Sequence, residues 1–461
     1  MTASSNRNIA VIDIGKTNAK LVLLGGNGQL IDTRSTPNRS IELDVGGTTI
    51  LAHDTERLWK FILDGLRAFE AEYGVGAISI TTHGATAALV AGDELALPVL
   101  DYESPLPETC AQAYALARGE FEETLSPRLP NGLNLGAQIF WQAQSFPDKF
   151  ARVTAILTYP QYWAWRLTGK RASEATSLGC HTDLWNPNTG DFSEVVVQQG
   201  WRALFPPVKP AAAVLGHITA RVAVETGLPA DTPVCSGIHD SNASLVPYLT
   251  RFQNPVTVIS SGTWTICMTL GGSTAALDKE RDSLANVDAL GRPVPTARFM
   301  GGREFDLLVP NYAEPSAADI AFVIEQQVQA YPSFVAGVGP YGQRRGEWSV
   351  DKSVLTEGQR TAAATLYLAH LTRAALGLCG VGEAIIVEGP LARNALYCRA
   401  LTALTERPVH ASQDSTGTSF GAAVLCCEDL PQAPLPAAFP PLVVQGFKNY
   451  SEGWEKKTKN L

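Results

Sequence analysis

The stretch Asn8-Ile-Ala-Val-Ile-Asp-Ile-Gly-Lys-Thr-Asn-Ala-Lys-Leu-Val-Leu-Leu24 decides the fold. Two runs rich in Val, Ile and Leu flank Asp13, Gly15, Lys16, Thr17 and Asn18, which reads as two strands joined by a tight polar turn. Such a turn aims backbone N–H groups and two short side chains, Thr17 and Asn18, into one concavity that can hold phosphate oxygens. Asp13, an acid inside the first strand, is placed to hold a divalent cation beside that phosphate. An ordinary β-hairpin would share this pattern, but the pattern recurs. Pro255-Val-Thr-Val-Ile-Ser-Ser-Gly-Thr-Trp-Thr-Ile-Cys-Met-Thr-Leu270 again gives strand, small polar turn (Ser260, Ser261, Gly262, Thr263) and strand. Gly271-Gly272 closes it as Gly25-Gly26 closes the first. A repeat this far apart predicts two related domains, each offering one phosphate-gripping hairpin to a shared cleft.

A chain of 461 residues suits two cores, and the boundary is expected near residue 249, giving domains 1–248 and 249–461. Hydrophobic residues make up 45% and charged residues 18%, as in a soluble globular enzyme. The net charge of −9 argues against nucleic acid, which demands a basic face. Only Lys456-Lys457-Thr-Lys459 is locally basic, and a solvated, frayed end accounts for it. The start, Met1-Thr-Ala-Ser-Ser-Asn-Arg-Asn, lacks the apolar core of a signal peptide. No apolar run approaches the ~20 residues that span a bilayer. Eight cysteines without CxxC spacing suit reduced thiols rather than disulfides or a zinc site, and the seven histidines show no ligand spacing. A cytoplasmic protein with no membrane partner is expected.

Further along, Asp54 reads as the N-cap of a helix carrying Leu58, Phe61, Ile62, Leu66 and Phe69 and ending near Gly74. The strand Ala77–Thr82 follows, then His83 and Gly84. Strand, helix, strand implies an α/β layer. Residues 103–135, rich in Pro, Glu and Gly, read as a surface excursion or lid. A long Ala-rich helix is expected from Gln359 to Leu378, then the strand Ala384–Val387, the turn Glu388–Asn394 and a helix over 395–404. Thr416-Gly-Thr-Ser-Phe-Gly-Ala-Ala423 suits a helix entry near a ligand, and the Pro-rich segment 431–441 reads as the end of the compact domain.

Gly237-Ile-His239-Asp240 is the candidate reaction centre. An acid at a strand-to-helix junction sits at the rim of an α/β sheet, where ligand clefts form. Phosphoryl transfer to a hydroxyl needs a carboxylate that accepts the proton, with positioning and charge neutralisation supplying the rest. Asp240 can fill that role; its alternative is to cap the following helix. His239, Asp240 and Ser241 are adjacent and point in different directions, so they form no nucleophilic triad. His83, Asp101, Tyr102 and Glu103 stand at strand ends, where hydrogen-bonding and flat apolar groups suit carbohydrate; structural and loop roles explain them about as well. Trp141 and Trp163 read as core.

These residues resemble the FGGY carbohydrate kinases of the actin-like ATPase superfamily, over nearly the whole chain. Asp13–Lys20 is similar to the first phosphate motif, and Ser261-Gly-Thr-Trp264 to the second. Gly237–Asp240 is similar to the catalytic Gly-x-x-Asp. Thr81–Val90 looks like the sugar-contacting strand end of the L-fuculokinase and rhamnulokinase branch. Arg166-Leu-Thr-Gly169, Glu174-Ala-Thr and Gly301-Gly-Arg-Glu304 resemble further landmarks.

The resemblance implies an α/β fold of two actin-like (ribonuclease H-like) domains around a central ATP/sugar cleft that close over the substrates. It implies Asp240 as general base, with His83, Gly84, His239 and Ser241 lining the sugar. Lys16, Thr17, Asn18, Lys20, Gly262, Thr263, Gly389 and Asn394 would meet ATP, and Asp13 would meet Mg²⁺. A homodimer is among the assemblies it allows. Two departures stand out. Glu388-Gly389-Pro390 replaces a Gly-Gly-Gly entry to the adenosine site, and the strand end shows His83 and Ala85-Thr86 where the branch carries an aromatic residue and an acid. The expected activity is phosphorylation of a small ketose of the L-fuculose or L-rhamnulose type. The alternatives are an idle sugar- and ATP-binding sensor, or a kinase of a polyol or ketopentose. A chaperone-like ATPase would need a peptide-binding module for which no residues remain.

Overall fold

The structure, a computed structural model, describes residues 7–412, 417–427, 430–432 and 434–459. Residues 1–6 of the opening read above for a leader, and Thr416, lie outside the described residues. Two compact units emerge: Met1–Arg251 with Ala285–Pro293 and Thr416–Ala433, and Phe252–Leu284 with Val294–Ser415 and Pro434–Leu461.

In the first unit the opening stretch forms β1 (Ile9–Ile14) and β2 (Asn18–Leu24), antiparallel, with Asp13 opposite Lys20. β3 (Leu30–Pro37) follows antiparallel to β2. A helix, α1 (Thr55–Tyr73), then crosses over to β4 (Ala77–Thr82), which runs parallel to β1. β5 (Val214–His217), β6 (Pro233–Cys235) and β7 (Ile238–His239) complete a sheet of order β5-β6-β4-β1-β2-β3, with β7 also on β4. Asp54 caps α1 by accepting from the Arg57 amide, and Gly74 ends it. Leu58, Ile62, Leu66 and Phe69 are buried against this sheet's core, each contributing about 1.5–3 kcal/mol. Trp141 and Trp163 are buried as expected.

In the second unit, β8 (Val256–Ser261) and β9 (Thr265–Leu270) form the second hairpin. With β10 (Pro293–Phe299), β11 (Ala384–Glu388) and β12 (Val409–Ala411) they run β10-β9-β8-β11-β12 within a six-stranded sheet. β8 is antiparallel to β9 and parallel to β11, as β1 is antiparallel to β2 and parallel to β4. The hairpin repeat is therefore a repeat of sheet topology. The Ala-rich α2 (Glu357–Cys379) opens with a Thr356/Gln359 capping box, and α3 (Ala395–Thr405) follows. α4 (Gly417–Cys426) packs on β1 and β4 of the first unit. No helix among the described residues is long and apolar enough to cross a membrane.

Three expectations change. Residues 103–135 are more than surface excursion: the helix Ala111–Ala117 buries Tyr114, whose hydroxyl donates to Asp183 at 2.9 Å, and Arg118 pairs with the same carboxylate. The chain does not fray after its Pro-rich segment. Residues Phe447–Lys459 form α5, which buries Tyr450 and Trp454 in the second unit's core. Trp454 donates to the Ala330 carbonyl at 2.8 Å, so the lysines project from an anchored helix. Cys235 and Cys426 form a disulfide across 191 residues rather than two free thiols.

Candidate active site

Asp240 begins a short helix, Asp240–Ala243, directly after β7. β7 pairs with the end of β4, setting His239 opposite Thr82. Both strand ends therefore deliver polar residues to one rim. The Asp240 carboxylate is 30% exposed and accepts from the Ser241 amide (2.6 Å) and hydroxyl (3.3 Å). Burial pushes its pKa up, against the pull of His83 and Ser241. His239 Nε2 lies 3.1 Å from Asp240 Oδ1. Its Nδ1 meets the Asn242 side-chain amide at 2.9 Å, which assigns the proton to Nε2, against Asp240. Burial lowers the His239 pKa to about 4, so the ring is neutral. Asn242 went unnoticed in the sequence because its partner is defined only by the turn.

His83 is buried with its Nδ1 3.0 Å from the Gly84 carbonyl, while Nε2 has no hydrogen-bond partner among the described residues. That leaves a buried acceptor open, and burial keeps the ring uncharged. Gly84 is obligatory there: a Cβ would lie 2.8 Å from His239 Nε2 and 3.0 Å from Cys180 Sγ. Around His83 stand the rings of His53 (5.0 Å), Tyr159 (5.1 Å) and Tyr102 (5.6 Å). His53, whose pKa falls to about 3 through burial and His83, is neutral too.

Lys16 turns toward this cluster. Its ammonium pairs with the buried Asp101, reaches Glu103 at 3.2 Å and lies 4.9 Å from the Tyr102 ring centre. Ser40 also donates to Asp101. Burial opposes ionisation of Asp101, but Lys16 and Ser40 outweigh it and hold the carboxyl below its usual range. Thr17, Asn18 and Lys20 keep exposed side chains at the hairpin turn, which the Gly15 N–H closes onto the Asn18 carbonyl.

Asp13 Oδ2 accepts from Ser419 on α4 at 2.8 Å. Burial raises its pKa, with Asp240 adding to the rise and Ser419 and Lys20 opposing it. No group of three or more metal-ligating side chains occurs among the described residues. A single carboxylate such as Asp13 still fits Mg²⁺, which takes one or two protein carboxylates and completes its shell with phosphate and water.

Glu174, part of the landmark noted in the sequence, braces β7. It accepts from the Thr176 and Ser177 amides and hydroxyls, and Thr176 Oγ1 in turn accepts from the His239 amide at 3.1 Å. Burial lifts the Glu174 pKa from 4.5 to about 7 against those bonds. A carboxyl whose folded pKa exceeds its unfolded value stabilises fully below pH ~4.5 and loses that contribution as pH rises through about 7. Glu174→Gln should therefore lose on the order of 3 kcal/mol less than wild type between pH 5 and pH 8 in urea unfolding. Parallel pH profiles for the two proteins would refute this.

In the second unit, Gly262 and Thr263 line a cavity of about 450 Å³ with Ser261, Leu368, Leu391 and Asn394. Phe305 and Tyr312 add flat apolar surface. Asn394 caps α3 through the Tyr397 amide, and its Nδ2 reaches Thr365 at 3.3 Å. Gly389 does not line the cavity but stands behind it against Ser261.

The comparisons agree with this architecture. Residues 8–247 match the N-terminal domain profile of the FGGY family of carbohydrate kinases, and residues 253–434 match the carbohydrate kinase FGGY C-terminal domain. The crystal structure of a carbohydrate kinase from Novosphingobium aromaticivorans superposes with a TM-score of 0.91 at 37% identity, covering 99% of both chains. A xylulose kinase from Lactobacillus acidophilus, at 15% identity and TM-score 0.77 over 97% of this chain and 96% of its own, shares the fold. An L-fuculokinase of Salmonella typhi is 28% identical over 299 residues. The chain spans about three-fifths of that curated relative's length, 61% of each chain being covered. With profiles matched in both halves and a full-length structural relative, the chain belongs to the FGGY family of carbohydrate kinases.

Proposed function

We propose that this chain is an ATP-dependent sugar kinase in which Asp240 takes the proton from a terminal hydroxyl of a small ketose. The observation that carries the reading is the pairing at one rim of an ionisable carboxylate, Asp240, with an open buried acceptor, His83 Nε2. Phosphoryl transfer asks the protein for positioning and charge, not for a covalent intermediate. His239 and Ser241 aim the carboxylate, Gly84 lets His239 approach, and His83 receives a sugar hydroxyl. The Tyr102 ring, beside the Lys16 ammonium that Asp101 holds, offers the flat face that a polyhydroxylated ligand asks for. This favours a ketose of the L-fuculose or L-rhamnulose type, the class named by the L-fuculokinase relative.

Lys16 serves that wall rather than the nucleotide. Thr17, Asn18 and Lys20 meet phosphate oxygens from the first hairpin, and Gly262 and Thr263 from the second. Phe305, Tyr312 and Leu368 provide an apolar bed for adenosine beside Asn394, with Gly389 supporting the loop from behind. Asp13, oriented by Ser419, would hold Mg²⁺; the cation, when bound, neutralises phosphate charge.

ADP release from Mg-ATP across a panel of ketoses, aldoses and polyols tests the reading. A sharp signal with one or two ketoses is expected; silence across the panel with ATP still bound would leave a sensor instead. Thr263→Ala should raise the KM for ATP about tenfold, the equivalent of one lost hydrogen bond, with little change for the sugar. An unchanged nucleotide KM would remove the second hairpin from the phosphate grip.

A further inference from the structure

The second unit contains another cavity, of about 540 Å³, within the range of small-molecule sites. Its floor is aromatic. His370 stacks on Trp454 with ring centres 4.9 Å apart and planes 15° from parallel, and Tyr341 meets Trp454 edge-on at 5.9 Å. Its wall carries Arg281, Arg344 and Arg373. The ion pairs of this unit join Arg298 to Asp282, Lys448 to Glu452, Lys457 to Glu347 and Lys459 to Glu455. Among the described residues, none engages the three wall arginines.

The guanidinium groups are nonetheless held in place. Arg281 Nε donates to the Pro340 carbonyl at 3.1 Å and Arg373 Nε to the Leu404 carbonyl at 3.3 Å. Arg281 and Arg344 lie 5.8 and 5.0 Å from the centre of the Tyr341 ring, contacts that fix a planar cation. Arg344 Nη1 and His370 Nε2 are buried and have no hydrogen-bond partner. His370, its pKa lowered to about 3 by burial, adds no charge. Glu280, Glu455 and Lys459 also line the cavity, the last two paired with each other, so four cations stand against two carboxylates and the concavity keeps a positive potential. Guanidinium matches phosphate oxygens in bidentate geometry.

We propose that this cavity is a second ligand site, taking a small phosphate monoester built on a ring: the phosphate on Arg281, Arg344 and Arg373, the ring against Tyr341, itself braced on the buried Trp454. A phosphorylated sugar and a nucleoside monophosphate share that chemistry. The site is independent of the transfer reaction proposed above. α2 runs between the two cavities: its Leu368 lines the hairpin cavity while His370, Arg373 and Gly377 line this one.

Titration calorimetry on the whole protein with ribose 5-phosphate, AMP, inorganic phosphate and ribose tests it. Saturable binding of ribose 5-phosphate, AMP or both is expected, and which one binds identifies the source. Binding should weaken at least about tenfold in Arg344→Ala and in Arg373→Ala and persist in Thr263→Ala. Gly377→Glu supplies a second variant: Gly377 has open space where a Cβ would stand, so a carboxylate enters the cavity mouth with the melting temperature preserved. It should abolish binding. The proposal is overturned if neither ring phosphate binds, if inorganic phosphate binds as tightly as both, or if binding survives the arginine and Gly377 changes.

Discussion

Asp240→Asn is expected to lower kcat about 10³-fold while sugar KM moves only by a small factor, because a general base supplies roughly 10²–10⁴ in rate. The substitution keeps shape. An amide oxygen can still accept from the Ser241 amide, and the helix Asp240–Ala243 keeps its start. What disappears is the proton acceptor and its charge. Burial raises the pKa of Asp240, and Asp240 in turn raises that of Asp13. Removing the charge should let Asp13 ionise more readily and leave the melting temperature unchanged or slightly higher. The wild-type rate should fall as pH drops toward the raised Asp240 pKa, since the base must be ionised. Steady-state kinetics with thermal melting of both proteins provides the check. Comparable turnover would take the base role from Asp240, and a collapsed melting temperature would make its role structural.

The second large effect is expected at Gly389. Its φ of 77° and ψ of −156° lie in a region essentially reserved for glycine. A Cβ there would stand 2.0 Å from the Ser261 carbonyl oxygen, a backbone atom with little freedom to yield. Ser261 is also tied down by its own hydroxyl, which donates to the Glu388 carbonyl and accepts from the Leu391 amide at 3.0 Å. Gly389→Ala must therefore part β11 from the turn of the second hairpin. Strain and clash together should cost about 3 kcal/mol or more, lowering the melting temperature by roughly 6–12 °C. The KM for ATP should rise more than that for the sugar. A variant that melts and binds nucleotide like wild type would show that Ser261 can move, and that Gly389 is not needed behind the cavity.

The elements that carry the candidate residues were legible in the sequence. Both hairpins, the β7-to-helix junction at Asp240 and the strand ending at His83 are local patterns, because side-chain alternation and turn chemistry act over a few residues. The partners of those residues could not be read. Lys16 finds Asp101 85 residues away, and Asp13 finds Ser419 406 residues away. Nothing around Lys16 distinguishes a lysine that grips phosphate from one that holds a buried carboxylate ionised. The lysines of α5 looked like a solvated tail because the buried stripe of Tyr450 and Trp454 needs a partner surface to have meaning. The bond between Cys235 and Cys426 is equally invisible, since the two residues lie 191 apart and only folding brings their Cα atoms to 6.4 Å.

The sequence by itself determined the α/β character, the duplicated hairpin and the placement of an acid at a strand end, all set by short-range periodicity and turn preference. Only the tertiary structure decided which charges are paired and which are left open. Lys16 is spent on Asp101, and among the described residues His83 Nε2 has no hydrogen-bond partner and Arg281, Arg344 and Arg373 form no ion pair. Electrostatic pairing and desolvation depend on distances through space, and the order of residues along a chain does not carry them.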